Sequence, residues 1–128
     1  MILLLDTSTP TCQLRFVEGD WSYQTSWEAG RGLAKGLLGF LDQELAGQNK
    51  TWSDVTGLAI YKGPGSFTGL RIGITVFNTL AYTNNIPIVG ETGDDWQALG
   101  LARLSSGEND EIVLPEYGGE ANITQPRK

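Results

Sequence analysis

Histidine is absent from this 128-residue chain, and cysteine occurs only once, at Cys12. Without histidine the chain can form no Ser-His-Asp triad, no Cys-His pair and no imidazole-based metal site. A single cysteine can form neither an internal disulfide nor a thiolate zinc site, so nothing indicates an oxidising compartment. Many enzyme classes that depend on these side chains are therefore excluded.

Basic residues are also few, since 9 lysines and arginines stand against 15 acids and give a net charge of −6. This balance argues against a protein that holds a phosphate backbone by its own charge. The apolar start, Ile2 to Leu5, ends at Asp6, has no basic flank and is too short for a signal peptide. We therefore expect a cytoplasmic protein whose direct partners are neither nucleic acid nor membrane.

The pattern of apolar residues predicts one α/β domain with the element order β-β-β-α-β-α-β-α. We expect strands over 2–6, 11–17, 21–27, 57–61 and 86–89 and helices over 29–48, 66–83 and 92–104. Ser66 is the predicted N-cap of the second helix, and Thr92 with Asp95 resembles a capping box for the third. Ile112 to Leu114 is a candidate further strand. The expected fold is a mixed sheet with helices on its faces.

The second predicted helix is unusual because residues 72 to 90 contain no charged side chain. Helical spacing gives it two apolar stripes: Phe67, Leu70, Ile74, Phe77 and Ala81 on one, and Ile72, Val76 and Leu80 on the other, beside Gly69 and Gly73. Two apolar faces need two partners, of which one is the sheet. The partner of the second apolar stripe is the first helix, the rest of a larger protein or another chain. Alternatively, the first helix and a loop together bury the whole surface.

A glycine-rich loop, Gly63 to Gly69, leads from the fourth strand into the second helix. Such a loop is one kind of anion site, and Asp6 ends the first strand where a metal-bound phosphate is often held. The candidate phosphate or metal residues are Asp6, Thr7, Ser8, Gly65 and Ser66. The loop lacks the Gly-Lys-Ser/Thr ending of a P-loop, and a loop-capping aspartate is the alternative interpretation of Asp6. A nucleophilic pair of Ser66 with Lys62 is a further alternative.

Two stretches of the chain resemble a known family. Leu4 to Ser8 and, above all, Gly63-Pro64-Gly65-Ser66-Phe67-Thr68-Gly69-Leu70-Arg71-Ile72-Gly73 closely resemble the bacterial TsaB family, also called YeaZ. The resemblance covers about residues 1 to 104, and Asn122 to Pro126 look like the family's C-terminal end. It implies an actin-like, ribonuclease-H-like fold and a role in making threonylcarbamoyladenosine in transfer RNA.

The resemblance also implies partners. Members of the family are non-catalytic scaffolds that pair with a catalytic TsaD paralogue, which the ATPase TsaE joins, so ATP and Mg²⁺ belong to the partners and this chain needs no cofactor. The pairing uses the first two helices, and the same surface forms homodimers. By position, the predicted partner contacts are Gly32, Gly36, Gly69, Arg71, Ile72, Gly73 and Val76. Glycines suit this place because missing Cβ atoms let backbones approach.

One departure from the family concerns length. Ordinary members carry a second lobe between the third helix and the tail, where this chain has about ten residues. We therefore expect residues 1–114 to form one lobe, with the second lobe deleted, and 115–128 to form a tail. Without an interlobe cleft, nucleotide binding at Asp6 to Ser8 is not expected of a monomer. The leading hypothesis is a one-lobe scaffold for TsaD; the alternative is a small phosphate-binding enzyme or its remnant.

Overall fold

The computed structural model describes residues 1–117 and contains the predicted order of elements. The strands are β1 (Ile2–Asp6), β2 (Thr11–Glu18), β3 (Trp21–Glu28), β4 (Gly57–Tyr61) and β5 (Ile88–Glu91). The α-helices are α1 (Leu33–Gly47), α2 (Phe67–Asn84) and α3 (Trp96–Ser105), and short 3₁₀ turns span Gly30–Gly32 and Trp52–Asp54. Among the described residues, no helix combines the length and apolar character needed to cross a bilayer.

The five strands form one mixed sheet in the order β3-β2-β1-β4-β5. The first three strands are antiparallel neighbours, whereas β1, β4 and β5 run parallel. The central strand β1 buries Leu3, Leu4 and Leu5 completely or nearly so, because helices cover both faces of the sheet. The continuous aliphatic run predicted this central position.

The two edges of the sheet differ. At the β5 edge, the N–H of Ile88 donates to Asn109 Oδ1 at 3.1 Å and the N–H of Gly90 donates to Asp110 Oδ2 at 2.9 Å. The N–H of Asp110 in turn donates to the Ile88 carbonyl at 2.8 Å. Within residues 1–117, β3 pairs with β2 alone, so its outer edge has no neighbouring strand.

Two helices cover one face of the sheet and one helix covers the other. In α1, Leu33, Leu37, Leu41 and Leu45 repeat every four residues, and all four are buried in a core that includes Leu3 and Leu5. Four buried α2 side chains, Leu70, Ile74, Phe77 and Ala81, join the same core. On the opposite face, Trp96 of α3 packs with Leu4, Ala59 and Val89. Alternation along β1 therefore divides the interior into two cores.

Residues 109–117, called here the C-terminal segment, are bound to the lobe by backbone and side-chain hydrogen bonds. Asn78 of α2 holds both backbone groups of Val113, with its amide donating to the carbonyl at 3.0 Å and its oxygen accepting from the N–H at 2.9 Å. The Glu116 N–H donates to the Lys62 carbonyl at 2.7 Å. The segment is thereby fastened to α2 and to the end of β4.

Arg103 of α3 ties the third helix to this segment through an ion-pair network. Its guanidinium contacts Glu91 and Glu108, each at 2.8 Å, and also pairs with Asp110. Burial alone would raise the pKa of Asp110, but hydrogen bonds from Arg103 and from the Gly90 N–H outweigh it and hold the pKa below its usual value. The pKa of Arg103 is raised mainly by its hydrogen bonds to Asp110 and Glu108.

Three predicted elements need correction. The fifth strand begins at Ile88 and not at residue 86, because the Ile86 N–H donates to the Ala81 carbonyl at 3.0 Å and so completes the end of α2. The first helix begins as a 3₁₀ turn, and its α-helical part starts at Leu33. Ile112 to Leu114 is not a strand, since the backbone of Val113 bonds to a side chain.

The predicted cap of the third helix is also wrong. Asp95 stands at the N-cap of α3, but its side chain makes no capping hydrogen bond. A capping box forms instead at Thr51 and Asp54, where the Thr51 N–H donates to Asp54 Oδ2 at 2.8 Å. The prediction for Ser66 is confirmed, because its hydroxyl accepts from the Gly69 N–H at 3.4 Å.

The predicted tail beyond Tyr117, including Asn122 to Pro126, lies outside the described residues.

Candidate functional site

The predicted phosphate loop and the end of β1 lie against each other. The Ser66 N–H donates to the Ser8 carbonyl at 2.9 Å, and a Cβ added at Gly65 would lie 2.5 Å from Ser8 Cβ. Glycine at position 65 is therefore needed for this close approach. The structure thus brings the end of β1 and residues 65–66 together.

The polar groups of these residues are already engaged with one another. Asp6 Oδ1 accepts the Ser8 N–H at 2.8 Å, which is the bond of a loop-capping aspartate. The buried hydroxyl of Thr7 donates to the Gly69 carbonyl at 2.7 Å. Within residues 1–117, no three Cys, Asp or Glu side chains gather as a metal site would require. The geometry favours a structural junction here, and these residues do not fit a Mg²⁺ site of several carboxylates.

The glycines predicted to admit a partner helix make room mainly for this chain. A Cβ added at Gly69 would lie 2.2 Å from the Thr7 carbonyl oxygen, and one added at Gly73 would lie 2.2 Å from Thr7 Oγ1. Likewise, a Cβ at Gly36 would lie 2.8 Å from the ring of Trp27, whereas at Gly32 it would meet nothing within 4 Å. The physical reason given for three of the four glycines is therefore corrected: they let α1 and α2 approach their own sheet.

The second apolar stripe of α2 is only half covered. Ile72, Val76 and Leu80 pack partly against the core and remain partly accessible. An open groove of about 440 Å³ runs between the two helices. Its lining consists of Ala34, Thr68, Arg71, Ile72, Thr75 and Val76. One turn after Ala34, Leu38 is 50% exposed. These lining residues and Leu38 are called here the outer face.

The start of α2 differs from its predicted burial. Phe67 was expected in the buried stripe, yet it is 55% exposed, because it is the first residue of α2 and lies outside the core. Its ring packs against Tyr117 with 4.5 Å between centroids, and the guanidinium of Arg71 lies over it at 5.2 Å. Arg71 is exposed and is also part of the groove lining.

Two titrating side chains near the junction have raised pKa values. Burial and, secondly, the charge of Asp6 raise the pKa of the Cys12 thiol to about 12, so the thiol stays protonated near neutral pH. Burial, followed by the charges of Asp6 and Asp94, also raises the pKa of Tyr61, whose hydroxyl donates to the Pro64 carbonyl at 2.8 Å. Both groups are thus neutral parts of the packing.

Sequence reasoning missed the central part that Thr7 and Asn78 play. Thr7 is the contact that Gly69 and Gly73 accommodate, and Asn78 holds the C-terminal segment. A signal for Asn78 was present, since it is an amide residue that directly follows Phe77 of the core stripe. Thr7 was a candidate phosphate or metal residue, and nothing in the sequence indicated its packing against α2, because hydroxyl residues are ordinary at strand ends.

Comparison with known proteins identifies the family of this chain. A sequence model of the family described as "TsaD: tRNA N6-adenosine threonylcarbamoyltransferase" matches residues 27–100, more than half of the chain. The Haemophilus influenzae tRNA threonylcarbamoyladenosine biosynthesis protein TsaB is 31% identical over 124 residues, covering 97% of this chain and 52% of that protein. A Pseudomonas aeruginosa crystal structure, titled as similar to peptidase YeaZ, superposes with a TM-score of 0.67 and 31% identity. The chain belongs to the TsaD family and is a TsaB/YeaZ-type member of it.

The matches also define how much of a TsaB/YeaZ protein is present. The Pseudomonas superposition covers 71% of this chain and 42% of that chain. A Listeria monocytogenes tRNA N6-adenosine threonylcarbamoyltransferase is 38% identical over 96 residues, covering 65% of this chain and 27% of that enzyme. The chain thus spans about half the length, or less, of the relatives it matches. Its five-stranded sheet with helices on both faces is an actin-like lobe, which confirms the predicted fold class.

Proposed function

We propose that the chain is a non-catalytic scaffold in tRNA threonylcarbamoyladenosine biosynthesis and that it binds a TsaD-like transferase through its outer face. The TsaB name of its relatives supports the pathway, and the match to the TsaD model supports a paralogous partner. The single observation that carries the proposal is the apolar outer face, which α1 and α2 leave open although both are packed on the sheet. The proposal also places the chain in the cytoplasm.

The composition of the outer face suits a protein interface. Ile72 and Val76 offer apolar area at the centre, Leu38 adds exposed aliphatic surface, and Thr68 and Thr75 supply hydroxyls at the rim. A specific interface buries roughly 800 Å² on each partner, with an apolar centre and a polar rim. Two parallel helices that present such a surface can pack against two helices of a partner. A second copy of this chain is the alternative occupant when the transferase is absent.

A non-catalytic role agrees with the chemistry of the described residues. The polar atoms of Asp6, Thr7 and Ser66 hold the junction between β1 and α2. The pKa of Cys12 is too high for a reactive thiolate. Under the proposal, the metal, the nucleotide and the transfer chemistry belong to the partner, and a TsaE-like ATPase joins the pair.

The test compares two exposed leucines on opposite faces of the sheet. Leu38, on the outer face, is 50% exposed, and Leu99, on α3, is 47% exposed. We expect the chain to form a stoichiometric complex with the cognate TsaD-like protein in size-exclusion chromatography and calorimetry at tens of micromolar. Leu38→Arg should weaken the complex at least tenfold because it places a charge against an apolar partner, whereas Leu99→Arg should leave it unchanged.

Both variants should unfold at nearly the same temperature, since each replaces an exposed side chain. Failure of the unmodified chain to bind the transferase would refute the scaffold. Equal weakening by both substitutions would refute the assignment of the surface.

The small phosphate-binding enzyme is the rival function, and the same preparation tests it. Calorimetry with ATP and Mg²⁺ should show no submillimolar binding if Asp6 only closes its loop. Submillimolar binding that Asp6→Ala abolishes would favour the rival. The Asp6→Ala variant also loses the bond to the Ser8 N–H, so its melting temperature must be measured beside the titration.

A further inference from the structure

The outer face lies in a local concentration of positive charge on an acidic molecule. Arg31 and Lys35 occupy the start of the first helical segment, and Arg71 occupies the start of α2. Residues 30–40 and 67–77, which form the first halves of the two segments, contain these three bases and no acid. The remaining residues carry a net charge of −9, from 15 acids against 6 bases. The charge of this region is thus opposite to that of the rest of the chain.

Two of these cations, Arg31 and Arg71, adjoin the apolar groove. A second hollow of about 380 Å³ lies at the beginning of both helices, has Arg31 in its wall and shares Thr68 and Ile72 with the groove that Arg71 lines. Acidic side chains are missing from the walls of both hollows. Within residues 1–117 the ion pairs involve the N-terminus, Lys50 and Arg103, and none involves the three cations. No carboxylate of the described residues therefore pairs with these charges, and they can face a partner there.

We propose that the outer face selects a partner whose matching apolar helices carry carboxylates, and that it disfavours a second copy of this chain. The inference rests on the proposed scaffold function and deepens it. Two identical outer faces would bring Arg71 and the adjoining Arg31 near the same cations of the second copy, and like charges across an interface are repulsive. A partner with carboxylates at those places attracts the same groups and speeds encounter. The sign of the charge thus favours the acidic partner over a second copy of this chain, whereas apolar packing alone would not distinguish the two.

Salt distinguishes the two pairings because it screens attraction and repulsion alike. The screening length is about 10 Å at 0.1 M and falls to a few ångströms near 1 M. We expect the affinity for the TsaD-like transferase to fall about tenfold between 50 mM and 500 mM NaCl. Self-association, measured by analytical ultracentrifugation, should be weakest at 50 mM. A dimer that is tight at 50 mM NaCl and dissociates at 500 mM would overturn the proposal.

Charge substitutions test which residues cause the salt dependence of binding. Arg71→Glu should weaken the transferase complex about tenfold at 50 mM NaCl and have much less effect at 500 mM. Lys50→Glu is the control for net charge, since it changes the charge by the same amount as Arg71→Glu, and Lys50 pairs with Glu18 away from the groove, so this change should not alter binding. A transferase complex insensitive both to salt and to Arg71→Glu would overturn the inference while leaving the scaffold intact, whereas no complex at any salt would refute both.

A second experiment tests the charge argument without the transferase. The double variant Arg31→Glu, Arg71→Glu presents the same groove with carboxylates and serves as an acidic probe. At 50 mM NaCl, the variant mixed with the unmodified chain should form a pair more tightly than either protein alone, and 500 mM NaCl should abolish the difference. A circular dichroism melt of the variant confirms its fold, and a mixture no tighter than its components would overturn the charge argument.

Discussion

One face of the sheet carries two helices side by side, whereas the other carries α3 alone. The side covered by α1 and α2 contains the larger core, yet its solvent surface keeps the apolar groove and three cations. Among residues 1–117, the side of α3 has four buried core residues, and the surrounding charges converge on Arg103. The comparison teaches that the better packed side still keeps an apolar groove at its surface, while the charges of the smaller side are held together by ion pairs.

Attachment to the sheet also differs between the two sides. Helix α2 approaches β1 closely at Gly69 and Gly73, where backbone and hydroxyl of Thr7 occupy the space of missing Cβ atoms. Helix α3 uses one glycine, Gly100, whose added Cβ would lie 3.0 Å from Ala59 Cβ. The α3 side depends in addition on Arg103, so the two sides should respond to different substitutions.

The largest expected effect comes from filling the contact beneath α2. Gly69→Ala places a methyl group where the Thr7 carbonyl oxygen lies 2.2 Å away, so α2 or β1 must shift. We expect a loss of about 3 kcal/mol in the free energy of unfolding. This corresponds to a melting temperature lower by roughly 10 °C, measured by circular dichroism.

Gly39→Ala is the matched control in the other helix of the same layer. An added Cβ at Gly39 meets nothing within 4 Å, and the position is exposed inside α1. Alanine should therefore stabilise the chain by about 0.5–1 kcal/mol, since glycine is a poor helix former. Equal destabilisation by both substitutions would contradict the role assigned to Gly69.

Breaking the ion-pair network on the α3 side should have the next largest effect. Arg103→Met leaves the carboxylates of Glu91 and Asp110 without their common partner, which should cost about 2 kcal/mol at pH 7 in urea unfolding. Because Asp110 has a folded pKa below the ordinary value of 3.8, its contribution is present above that pH and is lost as pH falls below it.

The stability curves of the variant and the unmodified chain should consequently converge as the pH falls below about 4. Glu108→Gln removes one exposed arm of the network and should change stability by less than about 0.5 kcal/mol. A constant difference between the Arg103→Met and unmodified chains from pH 7 to pH 2 would contradict the assignment to Asp110.

The smallest effect is expected where the two sides are joined. Asn78→Ala removes both hydrogen bonds to the backbone of Val113, and we expect a loss of about 1 kcal/mol. Hydrogen exchange at the Val113 N–H should accelerate more than exchange within β1. Asn84→Ala, which removes an exposed amide bonded to the Leu80 carbonyl, should leave Val113 unaffected. Unchanged protection at Val113 in Asn78→Ala would contradict the attachment.

The sequence predicted those features that depend on local periodicity. The leucines of α1 repeat every four residues, and Ser66 directly precedes a helical pattern. The order of the elements and the Ser66 N-cap could therefore be predicted. The resemblance of residues 63–73 to the TsaB family additionally predicted the actin-like fold. The features that were missed depend on contacts between distant residues.

Glycine spacing illustrates this limit. A glycine within a helix indicates that something approaches closely, but it does not say what approaches. At Gly36 the approaching group is Trp27 of β3, and at Gly73 it is Thr7, which directly follows β1. The acidic residues after position 90 were equally uninformative, since only the fold brings Glu91, Glu108 and Asp110 around one arginine. The accessible groove, by contrast, follows the uncharged stripe of α2.

The unequal edges of the sheet limit how copies of this lobe can join by strand pairing. Asn109 and Asp110 occupy the hydrogen-bonding groups of β5 at Ile88 and Gly90, so within residues 1–117 an added strand finds room only beside β3. Polymerisation by strand addition requires two available edges on each molecule, one to accept and one to offer. Over the described residues, a lobe with this single available edge can join one neighbour by strand pairing, which would end such a chain at two copies.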